Sequence, residues 1–134
     1  MASENAQLDH VAIAVRSIKD TLKIYMDIGC QAGDSEVVPS QDVKTQFIHT
    51  GQCKIELLEP LSPEGPVGKF IQKKGPGIHH ICLKVVDIET TLKNLKAKGY
   101  QLINEIPVAG AENCKVAFVH PKATEGVLIE LSQA

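Results

Sequence analysis

The sequence predicts an α+β protein: two βαβββ modules paired into a cup-shaped mixed sheet, with the helices outside. Three observations carry that expectation. LDHVAIAVRSIKDTLKIYMDIG, starting at Leu8, is echoed by IHHICLKVVDIETTLKNLKAKG, starting at Ile78, at a constant offset of seventy residues. Within each copy the apolar spacing changes from period two to helical, the mark of a strand running into a helix. Each copy then closes on the same tripeptide, Ile55-Glu56-Leu57 and Ile129-Glu130-Leu131. A unit this long, present only twice, is a duplicated module and not an array of stacked repeats.

The elements follow in order. MASENAQ at the start is polar, carries no apolar signal core and reads as a frayed arm. Residues 8–15 alternate, with Val11, Ile13 and Val15 on one face and His10, Ala12 and Ala14 on the other. Residues 17–28 are helical, with Ile18, Leu22, Tyr25 and Met26 in one stripe, Ser17 as N-cap and Gly29 as stop. Strands are expected around 29–38, 43–49 and 53–58. The second copy repeats the scheme: a strand over 79–85, a helix carrying Ile88, Leu92 and Leu95, Gly99 as stop, then strands at 101–106, 115–119 and 126–131. The Pro/Gly-rich stretch 60–77 joins the modules, with a short helix over 67–74. The whole chain, 1–134, is thus expected to be one domain made of repeats at about 8–59 and 78–132.

Composition narrows the function classes. With 43% hydrophobic and 22% charged residues, the chain is ordinary for a globular domain. It has no Trp, two Tyr and three Phe, a net charge of -2 and a pI near 6.2, which argues against nucleic-acid partners. No apolar run approaches the roughly twenty residues that span a bilayer. Cys30, Cys53, Cys82 and Cys114 are widely spaced without a CxxC pair, so they are expected as thiols in a reducing cytoplasm.

Strand parity sorts the polar residues. His10 and His80 lie opposite the apolar faces of their strands, and Glu56 and Glu130 sit between apolar neighbours that face the helices. All four are therefore expected to point into the cup. Buried carboxylates are costly unless paired or metal-bound. Two imidazoles and two carboxylates suit a divalent ion such as Co, Ni, Zn, Mn or Fe, with positions left for a substrate. His79, of opposite parity to His80, is expected to be structural. His49 and His120 are equivalent late in the third strands and are candidates for the rim of the cup.

LDHVAIAV, KIELLEPL at 54–61, GIHHICLKVVDI at 77–88 and KVAFVHPKATEGVLIEL at 115–131 resemble the vicinal-oxygen-chelate superfamily of glyoxalases, extradiol dioxygenases and epimerases. Within it they are most similar to the methylmalonyl-CoA epimerases. The resemblance covers nearly the whole chain from residue 8. It implies His10, Glu56, His80 and Glu130 as metal ligands, cobalt being the first choice of ion, and Glu130 as a proton-exchanging catalytic residue. It further implies an acyl-CoA substrate and a homodimer. Some members carry Gln at the second ligand position, so Glu56 adds a negative charge. Others carry Glu where this chain has Thr45, which is not a competent base. A glyoxalase I-like lyase uses the same ligand set, but the only arginine here is Arg16, and lysines such as Lys73 and Lys74 suit CoA phosphates better. A binding protein on the same scaffold is the reading from a different class, and the complete ligand set weighs against it.

Overall fold

A strand and a helix start each half for the same local reasons. In the first half, β1 (Gln7–Ala14) turns into α1 (Ile18–Ile28) at Ser17, whose side chain accepts from the Asp20 N–H. In the second, β5 (Gly77–Lys84) turns into α3 (Ile88–Ala97) at Asp87, which accepts from the Thr90 N–H. Both helices stop at a glycine held in the left-handed region, Gly29 at φ 116° and Gly99 at φ 88°, where any other residue would be strained. The computed structural model describes residues 6–134; the expected arm at Met1–Asn5 lies outside them, and Gln7 already belongs to β1.

The first half continues with β2 (Gln31–Val38), β3 (Val43–His49) and β4 (Lys54–Pro60), and a short helix α2 (Pro66–Lys74) follows. The second continues with β6 (Val108–Ala109), β7 (Lys115–Val119) and β8 (Ile129–Gln133). The chain divides into two compact units, one running from His10 to His79, the other combining the segment up to Asp9 with His80–Ala134. In the first the strand order is β2-β3-β4-β1, and in the second β5-β8-β7-β6. Each pairs its first and last strands in parallel, β1 with β4 and β5 with β8, and the remaining pairs antiparallel. The expected α+β class and its two β-α-β modules are those of the structure.

Each half has its own core, on the helix side of its strands. Val15, Ile18, Ile48 and Leu57 are buried together, with Ile13, Leu22 and Tyr25 packed against them. Ile88, Leu92, Ala117, Val119 and Leu131 form the counterpart, with Leu83, Val85 and Leu95 around it. A second device ties helix to sheet. The Ile18 N–H donates to Glu59 Oε1 and the Ile88 N–H to Gln133 Oε1, both at 2.8 Å. These acceptors sit three residues after Glu56 and Glu130, so the strand that carries each glutamate also caps its helix.

One expected strand is corrected. Residues 101–106 form no strand beyond a single bridge from Leu102 to Val119. Leu102, Ile103 and Ile106 have strand-forming side chains, but the backbone is otherwise engaged. The Ile103 and Asn104 N–H groups both donate to the Phe118 carbonyl, and Asn104 Oδ1 accepts the Phe118 N–H. An amide side chain replaces the ladder there. The last strand also starts later than expected, at Ile129. None of the four cysteines is in a disulfide. Among the described residues, no helix is long and apolar enough to cross a membrane.

Candidate active site

The face of each sheet turned away from its helix carries the predicted polar residues. In the first half, alternation along β1 puts His10, Ala12 and Ala14 opposite Ile13 and Val15, and the parallel register sets Ala12 beside Glu56. His10 Nε2 lies 3.1 Å from Glu56 Oε1, with both side chains almost wholly buried, 7% and 6% exposed. Phe47, directly across from Glu56 on β3, presents its ring edge-on to His10 with centroids 5.7 Å apart. Lys54 is register partner to His10, and its Nζ sits 4.5 Å over the Phe47 ring. From Glu56 the face runs into small and apolar side chains, Ala12, Ala14, Leu58 and Val43, all buried.

The second half repeats this pair. His80 Nε2 lies 2.9 Å from Glu130 Oε1, side chains 5% and 12% exposed. Phe118 is paired across from Glu130 and meets His80 edge-on at 5.5 Å. Cys82, beside Glu130 in the register, donates its thiol to Ser132 Oγ at 3.3 Å. Each predicted histidine is thus brought to the glutamate of its own half.

A proton or a cation must stand between an imidazole nitrogen and a carboxylate oxygen at about 3 Å, because both are otherwise acceptors. Burial sharpens the need, since a charged carboxylate out of water has to be compensated. The phenylalanines fix the ring planes, and an edge-on aromatic contact is a favourable way to do so. A sequence signal was present: Phe47-Ile48-His49 and Phe118-Val119-His120 differ only in the β-branched middle residue, and strand register puts each Phe opposite its Glu.

The other candidates separate from the ligand pairs. His79 packs edge-on against Phe70 of α2 at 4.9 Å, a structural contact. The His49 ring lies over the bulge in β2, so close that a Cβ on Gly33 would come within 2.6 Å of its Nε2. His120 Nδ1 accepts the Lys122 N–H and caps a turn. Thr45 is 2% exposed and donates its hydroxyl to the Glu36 carbonyl. Lys73 and Lys74 are exposed in the last turn of α2, with Lys74 Nζ 5.7 Å from the Phe70 centroid.

Comparison with known proteins gives this arrangement its relatives. The profile of the Glyoxalase/Bleomycin resistance protein/Dioxygenase superfamily matches residues 9–118. The chain is 39% identical over 130 residues to the mitochondrial methylmalonyl-CoA epimerase of Homo sapiens, covering 96% of this chain and 74% of that one. It is 38% identical over 130 residues to the ethylmalonyl-CoA/methylmalonyl-CoA epimerase of Cereibacter sphaeroides, covering 95% and 97%. A solved methylmalonyl-CoA epimerase in complex with methylmalonyl-CoA and NH4+ superposes with a TM-score of 0.92 at 29% identity, covering 96% of this chain and 94% of that one. The chain belongs to the Glyoxalase/Bleomycin resistance protein/Dioxygenase superfamily.

Proposed function

We propose that this chain is a methylmalonyl-CoA epimerase, an isomerase that inverts C2 of its substrate by removing and returning the proton α to the thioester. The observation that carries the reading is a buried His–Glu pair in each half of a chain whose relatives are named for that activity. His10, Glu56, His80 and Glu130 each offer one ligand atom, and this donor set fits a divalent ion. Two carboxylates match its charge, and a cation in place of a proton satisfies each imidazole–carboxylate approach. Cobalt is the first choice, with nickel, manganese, zinc and iron as alternatives. Such an ion, when bound, supplies Lewis-acid stabilisation of the negative charge that develops on the thioester oxygen.

The protein's own side chains supply the rest. Glu130, the more exposed carboxylate of the two, exchanges the C2 proton on one face, and inversion requires a second acid/base group to exchange it on the other. Phe47 and Phe118 hold the imidazoles in plane, so that the polar groups are positioned before substrate arrives. The dry floor of Ala12, Ala14 and Leu58 excludes water from an enolate. Thr45 takes no part in proton exchange, since its hydroxyl is committed to a carbonyl. The two repeats, about 8–59 and 78–132, act as one domain, assemble as a homodimer and work in the cytoplasm, where unpaired cysteines persist; sedimentation checks the dimer.

The test is solvent exchange. Protein loaded separately with each metal and given methylmalonyl-CoA in D2O is expected to incorporate deuterium at C2 and to scramble the configuration. Glu130→Ala is expected to abolish exchange and leave the thermal midpoint within a few degrees. Absence of exchange with every metal sinks the proposal. Turnover of the methylglyoxal–glutathione adduct instead would make the protein a lyase.

A further inference from the structure

β2 carries a carboxylate to a face that plain alternation would deny it. Continued from the pair Gln31 and His49, an unbroken ladder would set Glu36 opposite Lys44, on the helix side with Ile48. The register shift between Ala32 and Ser35 adds one residue to β2 in that stretch, and Glu36 pairs with Thr45 instead. A slip of one residue turns every later side chain to the other face of the sheet. Thr45 alternates with Phe47, the partner of Glu56, so Glu36 stands on the face of the His10–Glu56 pair. The shift includes Gly33, where the His49 ring takes the space that a Cβ would fill. Thr45 holds the turned strand, donating its hydroxyl to the Glu36 carbonyl at 3.3 Å.

Inversion at C2 needs an acid/base group besides Glu130. Among the described residues of β1 to β4 that the register assigns to this face, Glu56 and Glu36 are the two carboxylates. Glu56 is engaged with His10. Glu36 ends the register row Ala14, Leu58, Thr45, Glu36, whose first three members are at most 4% exposed, while Glu36 itself is exposed. It stands between the dry floor and water. We propose that Glu36 is the second acid/base group, exchanging the C2 proton on the face that Glu130 does not serve. This rests on the epimerase reading. In one direction the Glu36 carboxylate takes the C2 proton and the C–H electron pair enters the enolate; protonated Glu130 then returns a proton to the opposite face of C2. The reverse direction exchanges the two roles. Each turnover leaves both groups in the opposite state, and exposure lets Glu36 reset its proton through solvent. A carboxylate has about four lone-pair sites, so an ion pair or hydrogen bond on one oxygen leaves the other able to take a proton, as at Glu130 beside His80. His49 shares the face, but its Nε2 lies against Gly33 on the edge strand.

The test follows each enantiomer of methylmalonyl-CoA separately. Both are given in D2O to metal-loaded wild type, Glu36→Gln, Glu36→Asp and His49→Gln, and deuterium at C2 and configuration are read together. Wild type is expected to invert both enantiomers. Glu36→Gln is expected to lower inversion by roughly a hundredfold or more, the size of a lost general acid/base group. One enantiomer should still exchange its C2 hydrogen with retention, through Glu130, while the other is inert. Glu36→Asp, which keeps the carboxylate, should restore part of the inversion. Unaltered inversion in Glu36→Gln would overturn the proposal. Equal loss of exchange for both enantiomers would make Glu36 a structural or substrate-holding group and overturn it too. One-sided exchange in His49→Gln, with Glu36→Gln unaltered, would move the role to His49. Each of these outcomes, with wild type inverting, leaves the epimerase reading standing. A wild type that exchanges neither enantiomer with any metal sinks that reading and this assignment together.

Discussion

The two halves keep the same inner strands and differ at their outer edge. Around the ligand pairs they share one arrangement: parallel first and last strands, a histidine 2.9 to 3.1 Å from a glutamate, an edge-on phenylalanine, and a side-chain cap on the helix. At the outer edge β2 is eight residues long, whereas β6 is two. What is shared holds the ligand pairs, and the largest difference lies at the rim of each sheet.

Breaking the shared part should cost most. Phe47 is 3% exposed and Phe118 half-buried. Phe47→Ala is expected to lower stability by roughly 3–5 kcal/mol, and Phe118→Ala by about 2 kcal/mol, in urea unfolding. Equal losses would mean that the two rings bear the same load despite their different burial. The helix caps should matter less. Glu59→Ala is expected to cost about 1 kcal/mol, and Gln133→Ala a few tenths less because its amide carries no charge. A larger loss at Gln133 would reverse the ranking.

The smallest effect separates the halves by pH. Ser17 caps α1 and does not titrate, whereas the Thr90 N–H, then its hydroxyl, hold the Asp87 carboxylate below its ordinary pKa. A carboxylate with a lowered folded pKa stabilises the fold above its unfolded value, and that contribution fades as pH falls through the folded one. The thermal midpoint gap between wild type and Asp87→Asn should therefore shrink below about pH 4, while the gap for Ser17→Ala stays constant. A constant gap for Asp87→Asn would show that only its hydrogen-bond geometry counts.

Much of this was legible from parity. Alternation alone separated His10 from Ile13 and Glu130 from Leu131, because a strand has two faces and only one can meet the helix. Two things escaped. Residues 101–106 look like a strand by side-chain type, but whether a backbone joins a ladder depends on competing partners, here Asn104 and the Phe118 carbonyl. Phe47 and Phe118 drew no expectation, since nothing in a lone aromatic tells which ring it will meet.

The capping bonds reach across the chain, from Ile18 to Glu59 over 41 residues and from Ile88 to Gln133 over 45. Contacts of that sequence separation form late, because closing a long loop costs entropy before it returns anything. The β3–β4 and β7–β8 hairpins are local and can form first; the parallel pairing of β4 with β1 and of β8 with β5 follows. Glu56 and Glu130 lie on hairpin strands β4 and β8, and His10 and His80 on the first strands that pair with them in parallel. Each ligand pair is thus assembled in the last stage of folding of its half, so a chain that has not finished folding presents isolated histidines and has no His–Glu pair with which to capture a metal.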